Sequence, residues 1–158
     1  MDFKRKQINL NGKNYSLNIW DTSGQERYKS IVKSYFQKVD GCLLICNLND
    51  EKGLEKCEYW HAELEKSVPD CPILLVGTKK DLEQKIPIES FMKFAADKRM
   101  HSFMTSSKTG ENISEVFLRI LMEIICSGKG LIKVEKKLIE LTSKVVEKKQ
   151  NNQRRCCF

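Results

Sequence analysis

No apolar run in this 158-residue chain approaches the roughly 18 residues that a membrane-crossing helix needs. The first residues, "MDFKRKQINLNG", lack the apolar middle of a secretory signal. Histidine is scarce, with two in the whole chain. The seven cysteines (Cys42, Cys46, Cys57, Cys71, Cys126, Cys156 and Cys157) form no CxxC and sit beside no histidine cluster, so their spacing does not suggest zinc. Cysteines in this number without an export signal lead us to expect a reducing compartment. Also missing is any GxxxxGK[ST] run, the loop whose N–H groups and lysine surround a triphosphate. "SGKG" at 127–130 lacks the earlier glycine and has no strand immediately before it.

What is present fits one soluble globular domain: 18.4 kDa, 41% hydrophobic and 31% charged residues. The net charge of +7 is unevenly placed. Residues 129–158 hold nine Lys or Arg against three Asp or Glu, a net +6 that leaves +1 for residues 1–128. A nucleic-acid-binding domain spreads positive charge over a folded face, so no nucleic-acid partner is expected. The pattern is instead a nearly neutral domain over 1–127 and a basic tail over 128–158, suited to an acidic surface.

Along the body, "FKRKQINLNGKNYSLNIW" reads as a hairpin. Asn11-Gly12 favours a turn with two positive φ angles, and Tyr15, Leu17 and Ile19 alternate on one face. "GCLLICNL" (41–48) and "PILLVG" (72–77) are short apolar runs of the kind buried on both faces, and "HSFMT" (101–105) is a weaker strand. Helical patterns cover 27–37, 54–67, 88–99 and 111–126, the last with Asn112 and Ser114 as expected caps. Trp60 is expected to pack under its helix, and Cys42 and Cys46 to lie in the core. Strands alternating with helices predict an α/β domain around a mostly parallel sheet.

Three polar loops follow three of these strands: "DTSGQE" (21–26) after Trp20, "TKKD" (78–81) after Gly77, and "TSSK" (105–108) after Met104. In open α/β sheets, loops at the carboxyl ends of strands share one edge, and that edge binds ligands. Either "TKKD" or "SSKTG" alone is a common solvated turn; their joint occurrence in this order carries the signal.

With these motifs the chain resembles the small GTPases, and among them the Rab family of membrane-traffic regulators, from about residue 2 to residue 127. "IWDTSGQERY" is similar to that family's switch II, "TKKD" to its guanine-recognition loop and "TSSKTG" to its second base-contacting loop. Ser23 stands where the family has Ala, and Thr78 where it has Asn, an amide that ties the loop to neighbouring backbone. The resemblance implies a P-loop NTPase-like fold, a mostly parallel sheet with helices on both faces, lacking the family's first strand and helix. Met1 falls just after the family's switch I threonine, so apolar edges are expected at 15–20 and 41–47.

The implied chemistry is specific. Guanine presents two adjacent donors, and Asp81 corresponds to the carboxylate that accepts both. Lys79 is expected to lie its stem along the purine, and Ser107 to offer a backbone N–H to the guanine carbonyl, with Ser106 and Lys108 holding that loop. Asp21 corresponds to the acid holding Mg²⁺ through water. Gly24 corresponds to the N–H that meets the γ-phosphate, and Gln25 to the residue orienting the attacking water. Phe3, Trp20 and Tyr35 match the aromatic trio on which the family docks effectors. Implied ligands are GTP or GDP with Mg²⁺, and implied partners are effectors, an exchange factor, a GTPase-activating protein and the prenylation machinery.

The ending "NNQRRCCF" is no CaaX box, because position 155 is Arg. It resembles the dicysteine ending that receives two geranylgeranyl groups, on Cys156 and Cys157, with Lys148, Lys149, Arg154 and Arg155 nearby. Two lipids anchor stably where one does not. The expected location is the cytoplasmic side of intracellular membranes, cycling with the cytosol. Upstream, Leu131, Val134, Leu138, Leu141 and Val145 recur at helical spacing. Without a phosphate-gripping loop the expected deficit is about 8 kcal/mol, several charge-assisted bonds, or roughly a million-fold in affinity. The alternative expectation is a lipid-anchored module that binds effectors without nucleotide.

Overall fold

A computed structural model of the chain describes residues 2–22 and 39–128. Within them the order is β1 (Asp2–Leu10), β2 (Lys13–Asp21), β3 (Cys42–Asn47), α1 (Gly53–Ser67), β4 (Ile73–Thr78), α2 (Ile88–Asp97), β5 (His101–Met104) and α3 (Ile113–Cys126). The helix expected over 27–37 and the periodic stretch 131–145 lie outside the described residues.

β1 and β2 form the expected hairpin, paired antiparallel from Asp2 opposite Asp21 to Leu10 opposite Lys13. Its turn has φ 51° at Asn11 and 78° at Gly12, the left-handed pair that lets a two-residue loop follow the strands' twist. Asn9 helps close it, its side-chain oxygen accepting from the Gly12 N–H at 3.3 Å.

β3, β4 and β5 form a parallel sheet in that order. Register places Cys46 beside Gly77 and Gly77 beside Met104, so the three strands end along one edge. Side chains alternate between faces. Leu44, Cys46 and Leu75 pack with Cys57 of α1 and with Phe91 and Ala95 of α2. Leu74 and Val76 face the other way, onto Val116 and Ile120 of α3. Helices therefore cover both faces, and this is why the strands read as unbroken apolar runs.

Several expectations need correcting. Cys46 is fully buried, but Cys42 is only half-buried at the start of β3, its Sγ 3.8 Å from that of Cys71. Asn112 does not cap α3 with its side chain. At φ 56° it leaves the extended conformation a capping side chain requires, and its amide donates instead to the Met104 carbonyl at 2.8 Å. Ser114 lies inside the first turn of α3. Trp60 does pack against the core, with Tyr59 edge-on at 5.2 Å.

Among the described residues, β2 pairs only with β1 and β3 only with β4, so each strand has one edge with no partner strand. Apolar exposure follows: Ile45 is 55% and Trp20 50% exposed, while Tyr15, Leu17 and Ile19 are half-buried. No helix among the described residues is long and apolar enough to cross a membrane.

Two substitutions test the packing. Phe91, with no exposed surface, is expected to cost about 3–5 kcal/mol as Phe91→Ala. Gly53→Ala puts a Cβ 2.7 Å from the Asn47 carbonyl oxygen, where backbone must shift, at an expected cost of about 1–3 kcal/mol. Urea unfolding with an unchanged slope measures both; a neutral Gly53→Ala contradicts the close approach of α1 to β3.

Candidate functional site

The loops that follow β4 and β5 are built together. Thr105, buried beyond the end of β5, directs both its backbone N–H (2.7 Å) and its hydroxyl (3.0 Å) at the Gly77 carbonyl. The Lys80 N–H returns a bond to the Thr105 carbonyl at 3.0 Å. These bonds continue the parallel pairing past the last β5 residue and fix one loop against the other.

Ser106 is the pivot. It is completely buried, and its hydroxyl donates to Asp81 Oδ1 at 2.6 Å while accepting from the Thr109 N–H at 3.2 Å. Its own N–H bonds the Glu111 carbonyl at 3.2 Å. Asp81 is exposed, so a buried hydroxyl aims a solvent-facing carboxylate. The Ser106 bond is the main reason that Asp81 titrates below its ordinary 3.8; slight burial opposes it, and its own backbone N–H and the Lys108 charge add to it. A carboxylate so held remains ionised and can accept two adjacent N–H donors.

Around it lie the other expected residues. Lys79 is exposed at φ 61°, a left-handed conformation that costs a non-glycine residue energy. Ser107 and Lys108 are exposed on the turn after Ser106. The Thr78 hydroxyl donates to the Cys46 carbonyl at 3.3 Å, so Thr at this position still ties the loop to the neighbouring strand. Thr78, Lys79, Asp81, Ser106, Ser107 and Lys108 therefore share one sheet edge.

Asp21, exposed at the end of β2, belongs to the hairpin, and no described hydrogen bond or ion pair joins it to these loops. Phe3 and Trp20 face each other across the hairpin, ring centroids 4.6 Å apart, both largely exposed. Gly24, Gln25, Tyr35, Cys156 and Cys157 lie outside the described residues.

Some supporting residues escaped the sequence reading. Glu111 accepts from Ser106 through its carbonyl and pairs with Lys80 through its carboxylate. The Asn49 amide donates to the Glu83 carbonyl at 2.7 Å, holding the loop after β3 against the loop after β4. Only the recurrence of Asn in "NLND" hinted at it. A cleft of about 250 Å³ lies near the opposite, amino-terminal ends of β4 and β5, lined by His61, Arg99 and His101 among others, and holds none of the expected site residues.

Residues 1–126, which include this sheet and its paired loops, match the model of the Ras family, and the chain belongs to that family. It is similar to the Ras-related protein Rab-13 of Canis lupus familiaris, 32% identical over 133 residues, covering 82% of this chain and 66% of that protein. It is 36% identical over 123 residues to the Ras-related protein Rab-5B of Plasmodium falciparum, covering 77% of this chain and 59% of that protein. With Rab-13 of Bos taurus it shares 31% identity over 156 residues, 96% of this chain and 77% of that protein. The chain thus spans 66% and 59% of the lengths of the first two of these relatives.

The Ser106 bond gives a direct test. Ser106→Ala is expected to raise the Asp81 pKa toward 3.8, read from carboxyl-carbon NMR shifts. Because the folded value is depressed, the associated stability is present above pH 3.8 and lost as pH falls through the folded value. The variant should lose that acid-side slope; an unmoved Asp81 pKa would show that the hydroxyl does not govern the carboxylate.

Proposed function

We propose that this chain is a Rab-like guanine-nucleotide switch of vesicle traffic, with Asp81 as the carboxylate that reads the base. The observation carrying this reading is the 2.6 Å bond from buried Ser106, which presents Asp81 ionised at the strand-end edge. An ionised carboxylate suits the adjacent ring N–H and exocyclic amine of guanine and finds no such pair on adenine. Lys79 covers the purine with its stem, Ser107 gives a backbone N–H to the guanine carbonyl, and Lys108 and Thr78 hold the two loops.

In the phosphate half, the Gly24 N–H meets the γ-phosphate and Gln25 orients water for in-line attack. Asp21 is a single exposed carboxylate, and Mg²⁺ keeps several waters and binds through few carboxylates, so the fit is through water. When bound with GTP, Mg²⁺ neutralises charge on the transferring phosphoryl group. Cys156 and Cys157 carry geranylgeranyl groups that, with the basic tail, hold the protein on the cytoplasmic side of a membrane. An exchange factor, a GTPase-activating protein and effectors complete the cycle.

A second reading is favoured by one observation, the exposed Phe3–Trp20 pair on the hairpin. With Tyr35 it forms an aromatic surface of the kind enriched at interfaces, which engages effectors without nucleotide.

Titrating the chain with fluorescent GDP and ADP in Mg²⁺ separates the two. Both nucleotides are expected to bind weakly without a phosphate-gripping loop, but with a preference for guanine that Asp81→Asn should reduce roughly 10- to 150-fold, the loss that follows when charge-assisted hydrogen bonds are weakened. Equal affinity for GDP and ADP sinks the first reading. Effector binding that persists without nucleotide and disappears in Trp20→Ala supports the second.

A further inference from the structure

We propose that Cys42 and Cys71 form a redox-responsive dithiol at the amino-terminal rim of the parallel sheet, which glutathione disulfide converts to an intramolecular disulfide. The fold brings the two together from opposite sides of α1. The Cys42 N–H bonds the Pro72 carbonyl at 2.8 Å, locking the first residue of β3 to the segment that leads into β4. Register sets Cys42 beside Ile73, two positions after Cys71, and there Cys42 packs against Leu64 of α1. Cys71 is held by its own turn, its N–H bonding the Val68 carbonyl at 3.0 Å. The outcome is a thiol–thiol hydrogen bond with the sulfurs 3.8 Å apart. Both cysteines are reduced. The sulfurs have roughly 2 Å to close before they reach the ordinary disulfide length of about 2.05 Å, a distance within reach of side-chain rotation.

Access singles out this pair. Cys71 is half-buried and lines the cleft of about 250 Å³, through which a small disulfide reaches its sulfur. The walls of that cleft come from α1, β4, β5 and α3, through His61, Ile73, His101 and Glu123, and β3 takes no part in them. Cys46 and Cys57 also share a hydrogen bond, but at 0% and 1% exposure they are closed to an oxidant in the folded chain. The bond with Cys71, and burial after it, push the Cys42 thiol above its ordinary 9.0. Cys42 therefore keeps its proton while Cys71, its proton given to solvent, attacks as the thiolate. The Cys71 sulfur bonds one sulfur of glutathione disulfide and expels the other half as a thiolate, which takes the Cys42 proton. The Cys42 sulfur then attacks that of Cys71, breaking its bond to glutathione, and the second thiolate recovers a proton from solvent. Two protein thiols have lost two electrons, and two glutathiones leave reduced. The new bond closes a loop between positions 29 apart that holds all of α1, and so restricts the unfolded chain. In a reducing pool both stay thiols, and the bond forms when the disulfide form of glutathione accumulates.

The test treats the full chain, native and dilute, with excess glutathione disulfide. Remaining thiols are then alkylated in denaturant, and the monomer from a non-reducing gel is digested with trypsin. Peptide 39–52 is expected joined to peptide 67–79, and because the first carries both Cys42 and Cys46, fragmentation assigns the link to Cys42. The thermal midpoint should rise on the order of 10 °C and fall back with dithiothreitol. Cys42→Ser is expected to stop at a mixed disulfide of Cys71 with glutathione, and Cys71→Ser to leave Cys42 unmodified. Cys42 and Cys71 both alkylated in the treated chain, either of them linked to another cysteine, or a link found in the dimer alone each overturns the proposal. So does glutathione on Cys42 in Cys71→Ser. Mapping of the unsubstituted chain decides the matter even if a variant fails to fold.

Discussion

One short hydrogen bond organises the strand-end edge of this molecule, that from the Ser106 hydroxyl to Asp81. It joins loops that follow different strands, so it exists only because β4 and β5 run parallel in a register that ends them together. Thr105 and Lys80 extend that pairing beyond the strands, and Glu111 grips Ser106 from the far side of its own loop. A buried hydroxyl has few ways to satisfy itself, and here its partners are an exposed carboxylate and a backbone N–H. Burial of Ser106 and exposure of Asp81 are two sides of one arrangement: the donor is immobilised so that the acceptor is aimed. A carboxylate on an unsupported loop would sample many directions and lose more entropy on binding.

Much of this could be read from the residues. Asn11-Gly12 announced the hairpin because only a few residues accept two consecutive left-handed angles, and both angles are present. The runs at 41–48 and 72–77 announced strands buried on both faces, because α1 and α2 lie on one side and α3 on the other. What failed was information that depends on a distant partner. Asn112 looks like a helix cap in isolation, yet the Met104 carbonyl takes its amide. Cys42 looks like Cys46, but it sits at the rim of the sheet. Thr78 looked like a lost amide until the Cys46 carbonyl appeared within reach of its hydroxyl. Glu111 carried no local signal at all, since its role is defined by Ser106 and Lys80.

The two sheets obey different physics. The hairpin closes over a two-residue turn, so its pairing costs little loop entropy and its alternation leaves one face half-buried. The parallel sheet needs a helical crossover between each pair of strands, and those helices supply the cover that its apolar faces require. Asp81 and Ser106 belong to the second system, and Phe3, Trp20 and Asp21 to the first. Family membership spans both, over residues 1–126. The proposed base reading and the proposed partner binding thus concern residues on different pieces of chain, which is why they can be tested separately.

Strand alternation ties the hairpin's remaining features together. The odd residues of β2 place apolar side chains on one face and turn their backbone toward β1; the even residues do the reverse. Tyr15, Leu17 and Ile19 therefore lie half-buried on one face, while Asn14, Ser16, Asn18 and Trp20 stand exposed on the other.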